Sequence, residues 1–246
     1  MQMIHTAIQA SLAAGELIRS NFGREVQVNE STVHDIKIQT DIDSQDLIYS
    51  IISKHHPDHR LIGEEGDSGN AKGEVEWIVD PIDGTINFAM GIPHFCVSIA
   101  ARKEGKLLLG VIYDPIRNDL FTVEAGGPTY LNGRAVQVSS RNKLSDAIMA
   151  VGFAKTKESV DHCMALYNHY GHAAKKLRAM GSAALDLAYV SCGRLDAYIE
   201  QGVSLWDIAA GWIMVEQAGG KVEVEVKADG KYRLCASSGR IEYPLR

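Results

Sequence analysis

The segment Trp77-Ile78-Val79-Asp80-Pro81-Ile82-Asp83-Gly84-Thr85 constrains this chain more than any other. Its first residues are those of a short buried strand, and the acid and proline that follow predict that the strand stops at Asp80. Asp83 comes three residues later, and Gly84-Thr85 can open a helix whose first amides are free. Two carboxylates on such a bend can point into one small volume. Left alone they repel and raise each other's pKa; a divalent cation removes the conflict. Carboxylate and carbonyl oxygens suit magnesium, and the segment has no His or Cys.

Around that bend the pattern changes along the chain. Ile4, Ala7, Ile8, Leu12, Leu17 and Ile18 predict an amphipathic helix ending near Gly23. A second helix is expected from Thr40, capped by Thr40 with Asp43 as the capping-box acid, and ended by Pro57. Phe95 to Ala125 reads as a strand meander, turned by Glu104-Gly105 and Asp114-Pro115, and Asn132-Gly133 marks a hairpin. Strand and helix then alternate: Ile148–Val151, a helix over 159–170, a helix opened by Gly181-Ser182-Ala183-Ala184, a strand near Leu195–Ile199, a helix over 206–218 and two closing strands. This order predicts an α+β fold with an antiparallel meander in the first half and a mixed sheet with helices in the second. The expected halves are 1–144, with most of the candidate metal-binding acids, and 145–246, with Glu200 and Asp207, packed as one unit because no repeat or Pro-rich linker separates them.

Composition excludes several functions. Hydrophobic residues make up 46% and charged residues 23%, enough for a real core, and 25 basic against 31 acidic residues give a net charge of −6. No block of Lys or Arg offers a footprint for nucleic acid or an anionic membrane, so neither is an expected partner. The four cysteines are scattered, without a CxxC pair, and read as buried free thiols of a reducing compartment. No signal peptide is evident at Met1-Gln2-Met3 and no apolar run could cross a bilayer, so the expected address is the cytoplasm.

Two further acidic sites accompany the bend. Gly63-Glu64-Glu65-Gly66 puts glutamates in a turn, and Trp206-Asp207-Ile208-Ala209-Ala210-Gly211 starts a helix with an acid. Taken alone, Asp207 reads as a helix cap. Taken together and in order, these motifs resemble the inositol monophosphatase family of lithium-sensitive, magnesium-dependent phosphatases. The likeness covers nearly the whole chain and includes Asn87-Phe88, Val97-Ser98-Ile99, Asn132-Gly133, Gly181-Ser182-Ala183-Ala184 and Asp196-Ala197-Tyr198 leading to Glu200. It implies a layered αβαβα sandwich of the sugar-phosphatase type and a homodimer.

The resemblance also implies roles. Glu64, Asp80 and the Ile82 carbonyl would hold one Mg2+, and Asp80, Asp83 and Asp207 a second. A third magnesium would lean on Glu64. Asp41 would pair with the Thr85 hydroxyl to orient and deprotonate a water. Asp83, Gly84, Thr85, Ser182, Ala183, Glu200 and Asp207 would contact the substrate, a small phosphorylated metabolite. Phosphate esters resist hydroxide because both are anionic, and paired metals remove that barrier while free amides at a helix start bind the phosphate. The implied reaction is hydrolysis of inositol monophosphate or a related sugar or polyol phosphate by direct attack of metal-activated water. Histidinol phosphate, fructose bisphosphate and 3'-phosphoadenosine compounds are the alternatives within the family. This chain departs from the family pattern at Ile86, where many relatives have Thr, and around Asp35-Ile36-Lys37.

Other readings rank lower. Asp41-Ile42-Asp43-Ser44 has the spacing of an aspartate-nucleophile phosphatase, but Ile36–Thr40 lacks the apolar parallel strand that mechanism needs. His55-His56-Pro57-Asp58-His59 reads as a solvated loop rather than a metal site. A non-catalytic binding protein with the same fold is the alternative outside enzymes.

Overall fold

The structure is a computed structural model that describes residues 2–24, 27–31, 36–154 and 156–241. The chain begins with helix α1 (Met3–Asn21), a small antiparallel pair β1 (Val28–Ser31) and β2 (Ile36–Ile38), and helix α2 (Gln39–His55). Strands β3 (Arg60–Gly63), β4 (Ser68–Gly69) and β5 (Val75–Asp83) follow, then the one-turn helix α3 (Thr85–Ala89). The meander is β6 (Cys96–Lys103), β7 (Lys106–Asp114), β8 (Asp119–Glu124), β9 (Tyr130–Leu131) and β10 (Arg134–Ala135). Next come β11 (Ile148–Val151), α4 (Lys157–Tyr170), β12 (Lys176–Arg178), α5 (Ala183–Ser191), β13 (Ala197–Val203), α6 (Leu205–Gln217), β14 (Lys221–Val226) and β15 (Tyr232–Ser237).

These elements stack in five layers. The first sheet runs β10-β9-β8-β7-β6-β5-β3-β4, antiparallel except for the β3–β5 pair. The second runs β12-β11-β13-β15-β14 and is mixed. Helices α1 and α2 cover one face of the first sheet, α5 and α6 fill the space between the sheets, and α4 covers the outer face of the second. This is the α+β sandwich expected from the sequence. Among the described residues, no helix is long and apolar enough to cross a membrane.

Strand alternation assigns each layer. Trp77 and Val79 of β5 pack toward α1 and α2, whereas Ile78 packs toward α5 and α6. Asp80 therefore faces the central helices. Asp83, three residues on, would face the other way in a regular strand. The pairing with β6 shifts there: Asp80 stands opposite Ser98 but Asp83 opposite Cys96, so β5 carries one extra residue. That bulge leaves Ile82 in the α1–α2 core and turns Asp83 back beside Asp80. It also corrects the expected end of the strand. Pro81 lies inside the bulge, where a missing N–H breaks no ladder bond, and β5 continues to Asp83.

Other local expectations shift. Helix α2 starts at Gln39, and its capping acid is Asp41, whose Oδ2 accepts the Ile38 N–H at 3.4 Å; Asp43 instead accepts from Gln39 Nε2 at 2.8 Å. Thr40 is therefore inside the helix and not its cap. The histidines near Pro57 are not a solvated loop. His56 stacks on His59 with ring centroids 4.9 Å apart, both pack on Trp77, and His59 Nδ1 accepts the indole N–H at 2.9 Å. All four thiols are free, but Cys192 and Cys235 are only half-buried. Asp35 lies outside the described residues.

Candidate active site

The bulged end of β5 meets the loop after β3 and the start of α6. Glu64 follows β3, whose parallel register sets Gly63 beside Val79, and the Glu64 N–H donates to the Val79 carbonyl at 3.3 Å. Asp207 lies in the first turn of α6 and caps it, its Oδ2 accepting the Ser204 N–H at 2.6 Å. Helix α6 reaches the sheet because Gly110 of β7 has no side chain; a Cβ there would stand 2.8 Å from the Ala210 carbonyl oxygen. The cap and the site are one arrangement: Asp207 spends one oxygen on the helix and keeps the other for the cluster.

Asp80, Asp83 and Asp207 each offer a carboxylate oxygen, and the three atoms lie within 4.8 Å of one another. Asp80 is 2% exposed, and its Oδ1 is buried without a hydrogen-bond partner. Burial and mutual repulsion hold these acids above their ordinary range. Glu64 is pushed up to about 8 and Asp207 to about 7, each mainly by burial. Asp80 is raised well above the usual carboxylate value for the same reason. Asp83 is also raised, by burial, against the pull of its hydrogen bonds. Among the described residues none of the three aspartates forms an ion pair with Lys or Arg. A group of hard oxygens with one orphaned acceptor and, among the described residues, no ion pair to Lys or Arg fits a divalent cation.

The remaining predicted residues divide between the rim and the support. Thr85 Oγ1 donates to the Ile82 carbonyl at 2.9 Å. Asp41 is buried close enough to Glu64 and Asp80 to raise both. Gly84 adopts φ 97°, and a Cβ there would lie 3.0 Å from the His94 carbonyl oxygen and 3.1 Å from that of Gly181, so only glycine fits. Ser182 and Ala183, expected to contact the substrate, line the cleft, and the Ser182 hydroxyl and the Ala183 and Ala184 amides also have a second task. Here they hold Asp83, at 2.6, 3.2 and 2.7 Å, with the carboxylate at the N-terminus of α5. Glu65 turns aside, its carboxylate 3.4 Å from Lys37 Nζ.

A cleft of about 440 Å³ opens beside the acids and is lined by Asp83, Asp207, Ser182, Asp186 and Glu200, with Ile86 and Phe153 at its apolar side. Glu200 accepts the Tyr198 hydroxyl on Oε2 and is pushed up to about 8 mainly by burial.

Several contributors carry no local signal. Gly152 borders Glu200 so closely that a Cβ would lie 1.9 Å from Oε2. Asn87 Nδ2 donates to the carbonyls of His94 (2.8 Å) and Met180 (2.9 Å), joining the two rims. Lys231 contacts the Ser204 hydroxyl and lies 5.6 Å from the Trp206 ring centre, bracing the turn that presents Asp207. Only the Asn87 position was visible in the sequence, as part of Asn87-Phe88.

Comparisons with known proteins identify the family. The family model described as "Inositol monophosphatase family" matches residues 1–242. "Nus factor SuhB" of Pasteurella multocida is 40% identical over 224 residues, covering 89% of this chain and 84% of that protein. "Inositol-1-monophosphatase" of Mesorhizobium japonicum is 37% identical over 235 residues, with the same coverages of 89% and 84%. The crystal structure of extragenic suppressor protein suhB from Bartonella henselae superposes with a TM-score of 0.89 at 33% identity, covering 96% of this chain and 93% of that one.

Proposed function

We propose that this chain, which belongs to the inositol monophosphatase family, is a magnesium-dependent phosphomonoesterase acting on inositol monophosphate or a related sugar or polyol phosphate. The observation that carries this reading is the group of Asp80, Asp83 and Asp207, with oxygens within 4.8 Å of one another and one of them orphaned. We assign Glu64, Asp80, the Ile82 carbonyl, Asp83 and Asp207 to two or three metal ions. Ions bound there would offset the phosphate charge and lower the pKa of water toward neutrality.

The chain's own groups have the following parts in this proposal. Asp41 and Thr85 orient the attacking water and take its proton, the Thr85 hydroxyl turning from the Ile82 carbonyl. The amides of Gly84 and Thr85 receive phosphate oxygens. Ser182, Ala183 and Ala184 fix Asp83, and Glu200 accepts a hydroxyl of the substrate. The water attacks phosphorus directly and no phosphoenzyme forms. Phosphate release by the purified chain, assayed over inositol, sugar, histidinol and nucleotide phosphates with and without Mg2+, tests the proposal. Release that requires Mg2+ and favours polyol esters is expected; a folded, metal-loaded chain inert to the whole panel would refute it. The homodimer belongs to the same proposal and is read by sedimentation.

A second reading is favoured by the name of the Pasteurella relative, "Nus factor SuhB". On that reading the chain serves by binding, and the expectation that nucleic acid is no partner becomes a measurement. The Mg2+ assay separates a binding role from a catalytic one, and a nucleic-acid binding titration reads the partner directly.

A further inference from the structure

We propose that Asn87 is a positioning residue for the metal site: its side-chain amide clasps the segment before α5 to the turn that follows Asp83, and so fixes the hold that α5 has on the Asp83 carboxylate. The inference rests on the assignment of a cation to Asp80, Asp83 and Asp207, and it names what keeps one of those ligands in place.

Asn87 lies in α3, and its Nδ2 donates to three carbonyls: His94 at 2.8 Å, Met180 at 2.9 Å and Gly181 at 3.3 Å. An asparagine near a turn is ordinarily explained by hydrogen bonds to its own stretch of backbone. That explanation covers His94 but not Met180, which lies 93 positions away. The Asn87 backbone carbonyl accepts the Ile92 N–H at 2.8 Å, so the residue also closes the turn that carries His94. Among the described residues, no other hydrogen bond joins segment 84–95 to segment 179–182. The approach is close, since a Cβ on Gly181 would stand 3.1 Å from Asn87 Nδ2.

Three carbonyl oxygens gathered in one place repel one another unless a donor sits among them, and here one amide group serves all three. The Gly181 carbonyl belongs to the peptide unit that supplies the Ser182 N–H. From Ser182 onward come the bonds that hold Asp83: the Ser182 hydroxyl at 2.6 Å, the Ala183 amide at 3.2 Å and the Ala184 amide at 2.7 Å. Asn87 thus ties together the same two parts of the chain as those bonds. Groups that orient a metal ligand without touching the ion commonly change affinity by about 10- to 100-fold when removed. Charge and position make opposite predictions for Asn87→Asp. The carboxylate has nearly the shape of the amide and adds a negative charge near the acids, which by Coulomb attraction tightens a cation. It also meets three carbonyl oxygens with acceptors alone, which opens the clasp.

The test is Mn2+ binding to the full chain without substrate, read by electron paramagnetic resonance of the free ion. Wild type, Asn87→Asp, Asn87→Ala and Asp196→Asn are compared at a temperature where each is folded by circular dichroism. Asn87→Asp should weaken Mn2+ binding about tenfold in spite of its charge, and Asn87→Ala should weaken it about as much. Asp196→Asn, which breaks a buried ion pair elsewhere in the fold, should leave it unchanged. The Mg2+ concentration for half-maximal phosphate release should rise in step with the Mn2+ dissociation constant. Unchanged or tighter binding in Asn87→Asp would overturn the inference. An equal loss in Asp196→Asn would overturn it too, by making the effect one of general stability. If Asn87→Asp does not fold, Asn87→Ala decides, and unchanged binding there overturns the inference. A wild type that binds no Mn2+ removes the cation assignment and this inference together. A chain that shows the expected shifts but hydrolyses no ester supports the inference and refutes the catalytic reading alone.

Discussion

Buried carboxylates occur in two kinds of place in this molecule. Asp196 is 0% exposed, and Arg141 Nε bonds both of its oxygens at 2.9 and 2.8 Å while the Ile148 N–H supplies a third bond at 2.8 Å. Asp114 is equally buried and is met by Arg117 at 2.7 Å and by two backbone amides. Where an acid serves to join segments, the fold provides a cation with it. Among the described residues no Lys or Arg forms an ion pair with Asp80, Asp83 or Asp207, although the first two are also buried. A chain that can compensate buried charge and leaves one cluster uncompensated has a cation-shaped requirement there.

The comparison can be broken by exchanging the consequences. Asp80→Asn should lower kcat by about 10^3 under saturating Mg2+, because charge stabilisation in the transition state is removed. In metal-free protein the same change should leave the melting temperature level or raise it, since a repulsive charge is lost; a large drop would mean that Asp80 is structural. Asp196→Asn should do the opposite, destabilising the fold by about 3 kcal/mol while the kinetics of the surviving folded enzyme stay close to wild type. That figure is at the low end for a broken pair because Arg141 remains 35% exposed and water can screen it.

The pH response sharpens the contrast. Glu64 and Asp207 have folded values of about 8 and about 7 against ordinary values of 4.5 and 3.8. The folded state therefore binds more protons than the unfolded one between those limits. The stability this contributes is complete below about pH 4 and is lost as pH rises through 7 to 8. Metal-free protein should melt at progressively lower temperature from pH 5 to pH 8, and Mg2+ should flatten that slope. A smaller effect concerns the substrate end. Gly152→Ala places a Cβ 1.9 Å from Glu200 Oε2, so Glu200 must move, and KM for a polyol ester should rise several-fold more than kcat falls.

Much of this was legible because it is local. The acids of the bend, the Gly84 turn and the helix carrying Asp207 follow from neighbouring residue types, and alternation along the chain predicted the order of elements. What was hidden depends on pairing between distant strands. The bulge that aligns Asp80 with Asp83 exists only in the register of β5 against β6, so Pro81 read locally as a stop. The start of α2 was misplaced for a related reason. Thr40 with Asp43 has the residue types of a cap, but strand β2 runs to Ile38, so the helix opens at Gln39 and Asp41 takes the position of the capping acid. The hold that Ser182 has on Asp83 was equally hidden, because nothing near it in sequence shows that Asp83 occupies the end of α5. Gly152 and Lys231 act on residues far along the chain, and no spacing announces them.

The claim beneath all of this is that Asp80, Asp83 and Asp207 share an ion. Anomalous diffraction from crystals of the chain soaked in Mn2+, a scatterer that stands in for Mg2+, tests it directly. At least one peak bonded to oxygens of all three residues, lost in Asp80→Asn crystals, is the expected result. Ordered side chains with no peak among them at saturating Mn2+ would contradict the account.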